Sequence, residues 1–226
     1  DRSVSRGLGD VYKRQDLDGT IINSEEGITK CVQYALSSFG IEEPDRKKLL
    51  CFIGPPLDPV FREKYGFDAD KAWQAVLKYR ERFDKTGIFE CELYEGVADT
   101  IRKLKEEGYI IALASSKPET ACRRILEHFS LTSYFDEIVG STLDGSISTK
   151  QQVLEELGRR MEHMQITKDE MCLIGDTEYD VIGADQFGIR CVGVSYGFGK
   201  REQLERAGAY CVCDSMAEVV DALQQM

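Results

Sequence analysis

No stretch of this 226-residue chain approaches the apolar length of a membrane span, and no charged-then-apolar signal segment opens it. A membrane partner is therefore not expected. Basic residues are scarce: 29 Lys and Arg face 40 Asp and Glu, a net charge of −11. That balance argues against nucleic acid or an anionic lipid surface as partner, since both need a basic face. Histidine is nearly absent, and His128 and His163 fall on helices away from every cluster described below, at expected surface or boundary positions. The eight cysteines lack metal-ligand spacing; Cys211-Val212-Cys213 is too tight for a zinc knuckle and reads as part of a strand. Reduced thiols in a cytoplasmic protein are the expectation. There is no internal repeat and no low-complexity segment. What remains is an ordinary globular composition, 42% hydrophobic and 31% charged, long enough to bury a full core.

Residues 1–15 stand apart. Ser5-Arg6-Gly7-Leu8-Gly9-Asp10-Val11-Tyr12-Lys13-Arg14-Gln15 resembles the in-frame translation of a transposase adapter from sequencing libraries, so residues 1–15 are read as an assembly scar. Without them 25 basic residues face 38 acidic ones, a net −13. The residues before Asp16 should form the apolar body of a central strand, yet they read Lys13-Arg14-Gln15. Burying such charges unpaired costs several kcal/mol, on the order of a whole domain's stability. A chain carrying an apolar hexapeptide there is expected to melt higher. Equal melting temperatures would refute this.

From residue 97 onward helix and strand alternate. Val97, Ile101 and Leu104 recur at helical spacing, and Tyr109 to Ala114 is a continuous apolar run. A helix beginning near Pro118 carries Ala121, Ile125 and Phe129 on one face. Phe135 to Val139, Met171 to Ile174, Ile189 to Val194 and Tyr210 to Cys213 read as further strands. Helices are expected around Val153 to Leu157, from about Asp180, and near 201–207 and 216–225. Strands that are apolar throughout are buried on both faces, which implies a parallel sheet covered by helices: a doubly wound α/β domain. Residues 22–91 are helical in pattern, punctuated by Gly40, Pro44, Gly54-Pro55-Pro56 and Gly66. The expected organisation is an α/β core of residues 16–21 and 92–226 with an all-helical insert, 22–91, at the carboxyl end of the sheet, where ligands bind in such folds.

Four clusters carry chemistry. Asp16-Leu17-Asp18-Gly19-Thr20 ends the first strand; residues i and i+2 of an extended chain point the same way, so two carboxylates enter one site. They repel unless a cation or proton intervenes. One can act as a nucleophile and the other as general acid and base, sharing a hard metal. Asp-x-Asp alone also suits a plain acidic turn. Ser115-Ser116 follows the run 110–114 and precedes a helix start, an arrangement that serves either an anion or a structural cap. Lys150 heads the helix after the third strand, where a cation opposes the helix dipole; a site-directed role and a solvated surface position both remain open, with Lys117 its competitor. Gly175-Asp176-Thr177-Glu178-Tyr179-Asp180 follows the strand 171–174, and Asp176 and Asp180 add oxygen ligands of the kind Mg²⁺ prefers. If the first strand is central, Asp16, Asp18, Ser115, Lys150 and Asp176 converge at one carboxyl edge.

These four clusters, with Asp180-x-x-Gly183-Ala184, resemble the four motifs of the haloacid-dehalogenase-like hydrolase superfamily, from Asp16 almost to the C-terminus. Asn23-Ser24-Glu25-Glu26-Gly27-Ile28, Phe52-Ile53-Gly54-Pro55-Pro56-Leu57, Ser115-Ser116-Lys117-Pro118 and Leu143-Asp144-Gly145-Ser146 look like its phosphoglycolate-phosphatase branch with a helical cap. Asn23, Ser115 and Glu95 stand where that branch usually has Asp, Thr and Pro. None of these removes a catalytic group.

The resemblance implies a Mg²⁺-dependent phosphatase of a small phosphorylated metabolite, monomeric or dimeric. Asp16 attacks phosphorus, and Asp18 protonates the leaving alcohol and then deprotonates water. Mg²⁺ is held by Asp16, the backbone carbonyl of Asp18 and Asp176, with Asp180 behind or as a further ligand. Gly19, Thr20, Ser115, Ser116 and Lys150 hold phosphate and substrate, and the cap closes over them, with Gly54-Pro55-Pro56 as a stiff loop or a simple turn. Phosphoglycolate and 5′-nucleotides are both credible substrates. Phe52, Phe61, Tyr65 and Tyr79 suit base stacking or, more often, a core. A sugar phosphomutase of the same superfamily, and a module phosphorylated on Asp16 but not hydrolysed, are the competing readings; Asp18 argues against the module and against a dehalogenase.

Overall fold

The computed structural model describes residues 12–226, with the backbone alone for Tyr12–Gln15. The scar reading therefore lies outside the described residues except where this short strand, β1 (Tyr12–Gln15), begins. A two-residue strand β2 (Ile22–Asn23) leads into α1 (Glu25–Ser37), and after a 3-10 turn at 46–52 come α2 (Leu57–Tyr65) and α3 (Ala69–Phe83). Strand β3 (Glu92–Leu93) pairs antiparallel with β2 at the point where the chain returns from these helices. From there elements alternate: α4 (Val97–Glu106), β4 (Ile111–Pro118), α5 (Glu119–His128), β5 (Glu137–Ser141), α6 (Lys150–Arg160), β6 (Met171–Gly175), α7 (Glu178–Phe187), β7 (Arg190–Val194), α8 (Arg201–Ala207), β8 (Cys211–Cys213) and α9 (Met216–Gln224).

The six-stranded sheet runs β5-β4-β1-β6-β7-β8, with every pairing parallel. β1 is central, flanked by β4 and β6, so the sheet is the doubly wound α/β sheet that continuous apolar runs call for. Side chains alternate between its faces. Ile111 and Leu113 of β4 join one buried cluster with α4, α5 and α9, while Ala112 and Ala114 join the other with Val153, Leu154, Leu157 and Val181. Helices α1 and α3 pack on each other and α2 on α3. Their interior holds Phe52, Phe61 and Tyr79, all buried, with the Phe52 and Phe61 rings 4.7 Å apart and the Phe52 and Tyr65 rings 6.3 Å apart. Phe52 and Phe61 pack on each other and Tyr79 on Phe83, so these three are core, while Tyr65 is half-buried beside Phe52. Among the described residues no helix is long and apolar enough to cross a membrane. His128 and His163 are both exposed.

Two boundaries differ from expectation. β4 continues through Ser115 and Ser116 to Pro118, which pairs with Ser141 across a register irregularity, so α5 begins at Glu119. α7 begins at Glu178, two residues early, because Thr177 caps it and Asp180 sits in its first turn as the reciprocal acceptor.

Candidate active site

Parallel neighbours end on the same edge, and that is what assembles the site. Asp16 follows β1 and its N–H donates to the Ile174 carbonyl at 3.0 Å, locking it to β6; Asp176 follows β6 directly. Ser115 lies in β4 on the other side of β1, buried, and its Oγ accepts the Lys117 N–H at 3.3 Å. Ser116 beside it is half-buried. Lys150 opens α6, whose N-terminus is fixed by a capping box between Thr149 and Gln152.

Lys150 is a buried cation. Its Nζ lies 2.8 Å from Asp16 Oδ1 and 2.8 Å from Asp180 Oδ1, and it donates to the Ala114 carbonyl at 2.9 Å. An ammonium has three donors, so all three are engaged. Asp16, Asp176 and Asp180 each offer an oxygen within 4.8 Å of one another, all buried. Asp180 uses its other oxygen, Oδ2, to accept the Thr177 N–H and hydroxyl at 3.0 and 2.8 Å. Asp176 accepts the Phe198 N–H on Oδ2 at 2.8 Å, while its Oδ1 is buried without a hydrogen-bond partner.

The electrostatics follow from this crowding. Burial raises the Asp16 carboxyl, Lys150 opposes the rise, and Asp180 and Asp18 add to it, which together leaves it pushed up to about 6. Burial, then Asp180 and Asp16, push Asp176 well above the usual carboxylate range. Burial alone would lower Lys150, but Asp16 and Asp180 outweigh it and hold the ammonium firmly protonated.

Asp18 faces a different cation. Its Oδ2 is 3.1 Å from Lys117 Nζ, and Lys117 in turn lies over the Phe83 ring of α3 at 4.8 Å. Oδ1 of Asp18 is buried without a partner, and so is the Thr20 hydroxyl. Gly19 makes the turn possible: its φ is +78°, and a Cβ there would lie 2.0 Å from Asp176 Oδ2. Gly54-Pro55-Pro56 forms the turn between the 46–52 helix and α2. Lys117, in sequence a rival to Lys150 and part of the Ser115-Ser116-Lys117-Pro118 run, is thus a second cation with an enclosed side chain and its own carboxylate.

Orphaned oxygens on Asp176 and Asp18, together with three converging carboxylates, make a donor set of oxygen only. Hard divalent cations suit such a set. A carboxylate held by an ammonium, a second carboxylate two residues on, and buried hydroxyls at Thr20 and Ser115 form a site whose chemistry suits carrying a group on Asp16 and moving a proton at Asp18.

Comparison with known proteins shows the family. The model of the haloacid dehalogenase-like hydrolases matches residues 15–194. A 5′-nucleotidase from Pseudomonas aeruginosa is 38% identical over 209 residues, 92% of this chain and 93% of that protein. A pyrophosphatase, PpaX, from Bacillus mycoides is 29% identical, covering 93% of this chain and 95% of its own length. The crystal structure of a predicted phosphatase from Clostridium acetobutylicum superposes with a TM-score of 0.88 at 43% identity, covering 95% of this chain and 98% of that one. The protein described by these strand-end carboxylates is therefore one of the haloacid dehalogenase-like hydrolases, and it belongs to that family from the end of β1 to the end of β7.

Proposed function

We propose that this chain is a Mg²⁺-dependent phosphatase that hydrolyses small phosphate monoesters through a phosphoryl group carried on Asp16. The observation that carries this reading is the placing of Asp16 at 2.8 Å from Lys150, beside Asp176 and Asp180, with Asp18 turned to a separate lysine. Asp16 Oδ attacks phosphorus as the bond to the leaving oxygen breaks, and Asp18 gives that oxygen its proton. Asp18 then takes a proton from the water that attacks the phosphoryl group, returning Asp16 to carboxylate. Asp16, the Asp18 carbonyl and Asp176 would hold Mg²⁺, with Asp180 behind them, and the ion supplies charge neutralisation between the carboxylates and a phosphate dianion. Lys150 keeps Asp16 and Asp180 in place; it reaches a phosphate oxygen by releasing one of its three present partners. Ser115, Ser116, Gly19 and Thr20 supply the remaining phosphate contacts.

Helices 25–83 act as the cap. Phe83 over Lys117, and the Asp84 carbonyl accepting from Arg124 at 2.8 Å, tie them to the core beside Asp18. A cap seated there excludes water from the acid–base pair. The substrate is a small monoester of the phosphoglycolate type. A 5′-nucleotide is the second reading, favoured by the 38% identity to a 5′-nucleotidase, although Phe52, Phe61 and Tyr79 of the cap are buried and give a base no stacking surface.

A Mg²⁺-dependent phosphate-release screen over phosphoglycolate, 5′-nucleotides and sugar phosphates tests this. Wild type should release phosphate only with the metal, and Asp18→Asn should lower turnover by about 10²–10⁴-fold. Full activity in Asp18→Asn would remove Asp18 from the mechanism. Isomerisation of a sugar phosphate without free phosphate would make the chain a mutase, and a stable phospho-Asp16 in the wild type would make it a phospho-acceptor module.

A further inference from the structure

The segment after β7 takes no part in the chemistry above, yet its backbone is built into the site. Tyr196-Gly197-Phe198-Gly199 runs against Asp176 before α8 begins. The Phe198 N–H holds Asp176 Oδ2 at 2.8 Å, and the Tyr196 hydroxyl donates to the Thr20 carbonyl at 3.1 Å. One short stretch therefore grips both the carboxylate that follows β6 and the turn that follows β1. The approach is too close for any side chain on the two glycines. A Cβ on Gly197 would lie 2.3 Å from the Gly19 carbonyl oxygen and 2.4 Å from Asp176 Cβ. On Gly199 it would lie 1.9 Å from the Asp176 carbonyl oxygen. The Tyr196 ring is itself seated against Tyr94, with centroids 4.9 Å apart.

The result is a carboxylate with one orientation. Asp176 is fully buried, one oxygen is occupied by an amide, and the other is buried with no hydrogen-bond partner. We propose that Tyr196–Gly199 is a positioning clamp that presents a single oxygen of Asp176 to the metal and thereby makes the site prefer Mg²⁺ over Ca²⁺. This rests on the metal-dependent reading above. Mg²⁺ is small and demands a near-ideal octahedron, whereas Ca²⁺ takes six to eight oxygens in flexible arrangements and accepts both oxygens of one carboxylate. With Oδ2 tied to Phe198 and backbone walls on either side, Asp176 cannot turn to offer both. Selectivity then comes from the rigidity of a partner that never touches the ion.

The test is titration calorimetry of Mg²⁺ and Ca²⁺ into the metal-free full chain, for wild type, Gly197→Ala and Tyr196→Phe, with thermal unfolding in chelator as the folding control. Wild type should bind Mg²⁺ more tightly than Ca²⁺. Gly197→Ala should weaken Mg²⁺ by about 10–100-fold, the usual loss when a ligand's supporting partner is removed, and should narrow the ratio of the Ca²⁺ to the Mg²⁺ Kd. If Gly197→Ala does not fold, Tyr196→Phe decides, since it keeps the ring against Tyr94 and deletes only the hydroxyl; it should shift the same ratio in the same direction. A folded variant with an unchanged ratio overturns the clamp, as does equal weakening of both ions, which would report general loosening. A wild-type preference for Ca²⁺ overturns it as well. A wild type that binds neither ion removes the metal-dependent reading and the clamp with it, whereas wild-type Mg²⁺ binding with an unmoved ratio removes the clamp alone.

Discussion

Asp16→Asn is expected to abolish phosphate release, with a loss on the order of 10⁴-fold or more, and to make the metal-free protein more stable. The two effects have one cause. Asp16 is buried among Asp176 and Asp180, and Lys150 offsets only part of the burden. The gap between its ordinary value of 3.8 and the raised value of about 6 corresponds to up to roughly 3 kcal/mol. The sign follows from proton counting. Between about pH 4 and pH 6 the folded chain binds a proton at Asp16 that the unfolded chain has already lost, so this group lowers stability progressively as pH rises through that window. Above about pH 6 the penalty is complete. Asparagine resembles the neutral carboxyl, so its gain should be several degrees in melting temperature at pH 7.5, at about 2–4 °C per kcal/mol for a chain of this length, and should vanish near pH 4. Melting curves in chelator at the two pH values check this. A neutral or lower melting temperature at pH 7.5 would mean that the carboxylates are not in conflict at rest. Added Mg²⁺ should reverse the order, because only the wild type gains the stabilisation of a tightly bound ion.

Such a site is legible in sequence to the extent that its parts lie at element ends. Asp176 follows a strand buried along its whole length, and such a strand is a continuous apolar run whose carboxyl end can be found by reading along the chain, whereas Asp16 follows Lys13-Arg14-Gln15 and is marked only by its own Asp-x-Asp-Gly-Thr cluster. The placing of β1 between β4 and β6 then brings the two together. Lys150 reads in sequence as a cation opposed to a helix dipole, which suits either a site or a solvated surface, and its burial resolves the choice: the dipole penalty is outweighed by Asp16 and Asp180. The partner of Asp18 was harder. Ser115-Ser116-Lys117 read as the approach to a helix, but pairing with β5 extends the strand to Pro118 and swings Lys117 towards Asp18. The segment 196–199 carries no such signature. Its contacts join residues up to 176 positions apart, and no local periodicity encodes a hydrogen bond from Tyr196 to Thr20. Two glycines spaced by one residue directly after a buried strand were the available signal, marking close backbone approach without saying to what.

Lys150→Met is expected to cause the largest loss of stability of any single substitution in the site. Methionine approximates the lysine stem, so packing along α6 is retained while the charge disappears. Asp16, Asp176 and Asp180 are then buried together without the ammonium that lies 2.8 Å from two of them, and the Ala114 carbonyl loses its donor. Removing one partner of a buried ionic group costs about 3–5 kcal/mol, because what remains is charge without compensation; for a chain of this length that is a drop of about 10 °C. The pH dependence separates this cause from a packing defect. With Lys150 gone the Asp16 and Asp176 carboxyls rise further, so the folded variant holds protons that the unfolded chain releases from about pH 4 upward, and the deficit relative to wild type should widen with pH and shrink towards pH 4. A packing defect would be the same at both ends. Neutralising a carboxylate in addition, as Lys150→Met with Asp180→Asn, should recover part of the loss, and the non-additivity measures the coupling between the two side chains. If Lys150→Met melts with the wild type at pH 7.5, the three carboxylates are not charged together in the metal-free protein, and the cation that the site is built around has no electrostatic work to do there.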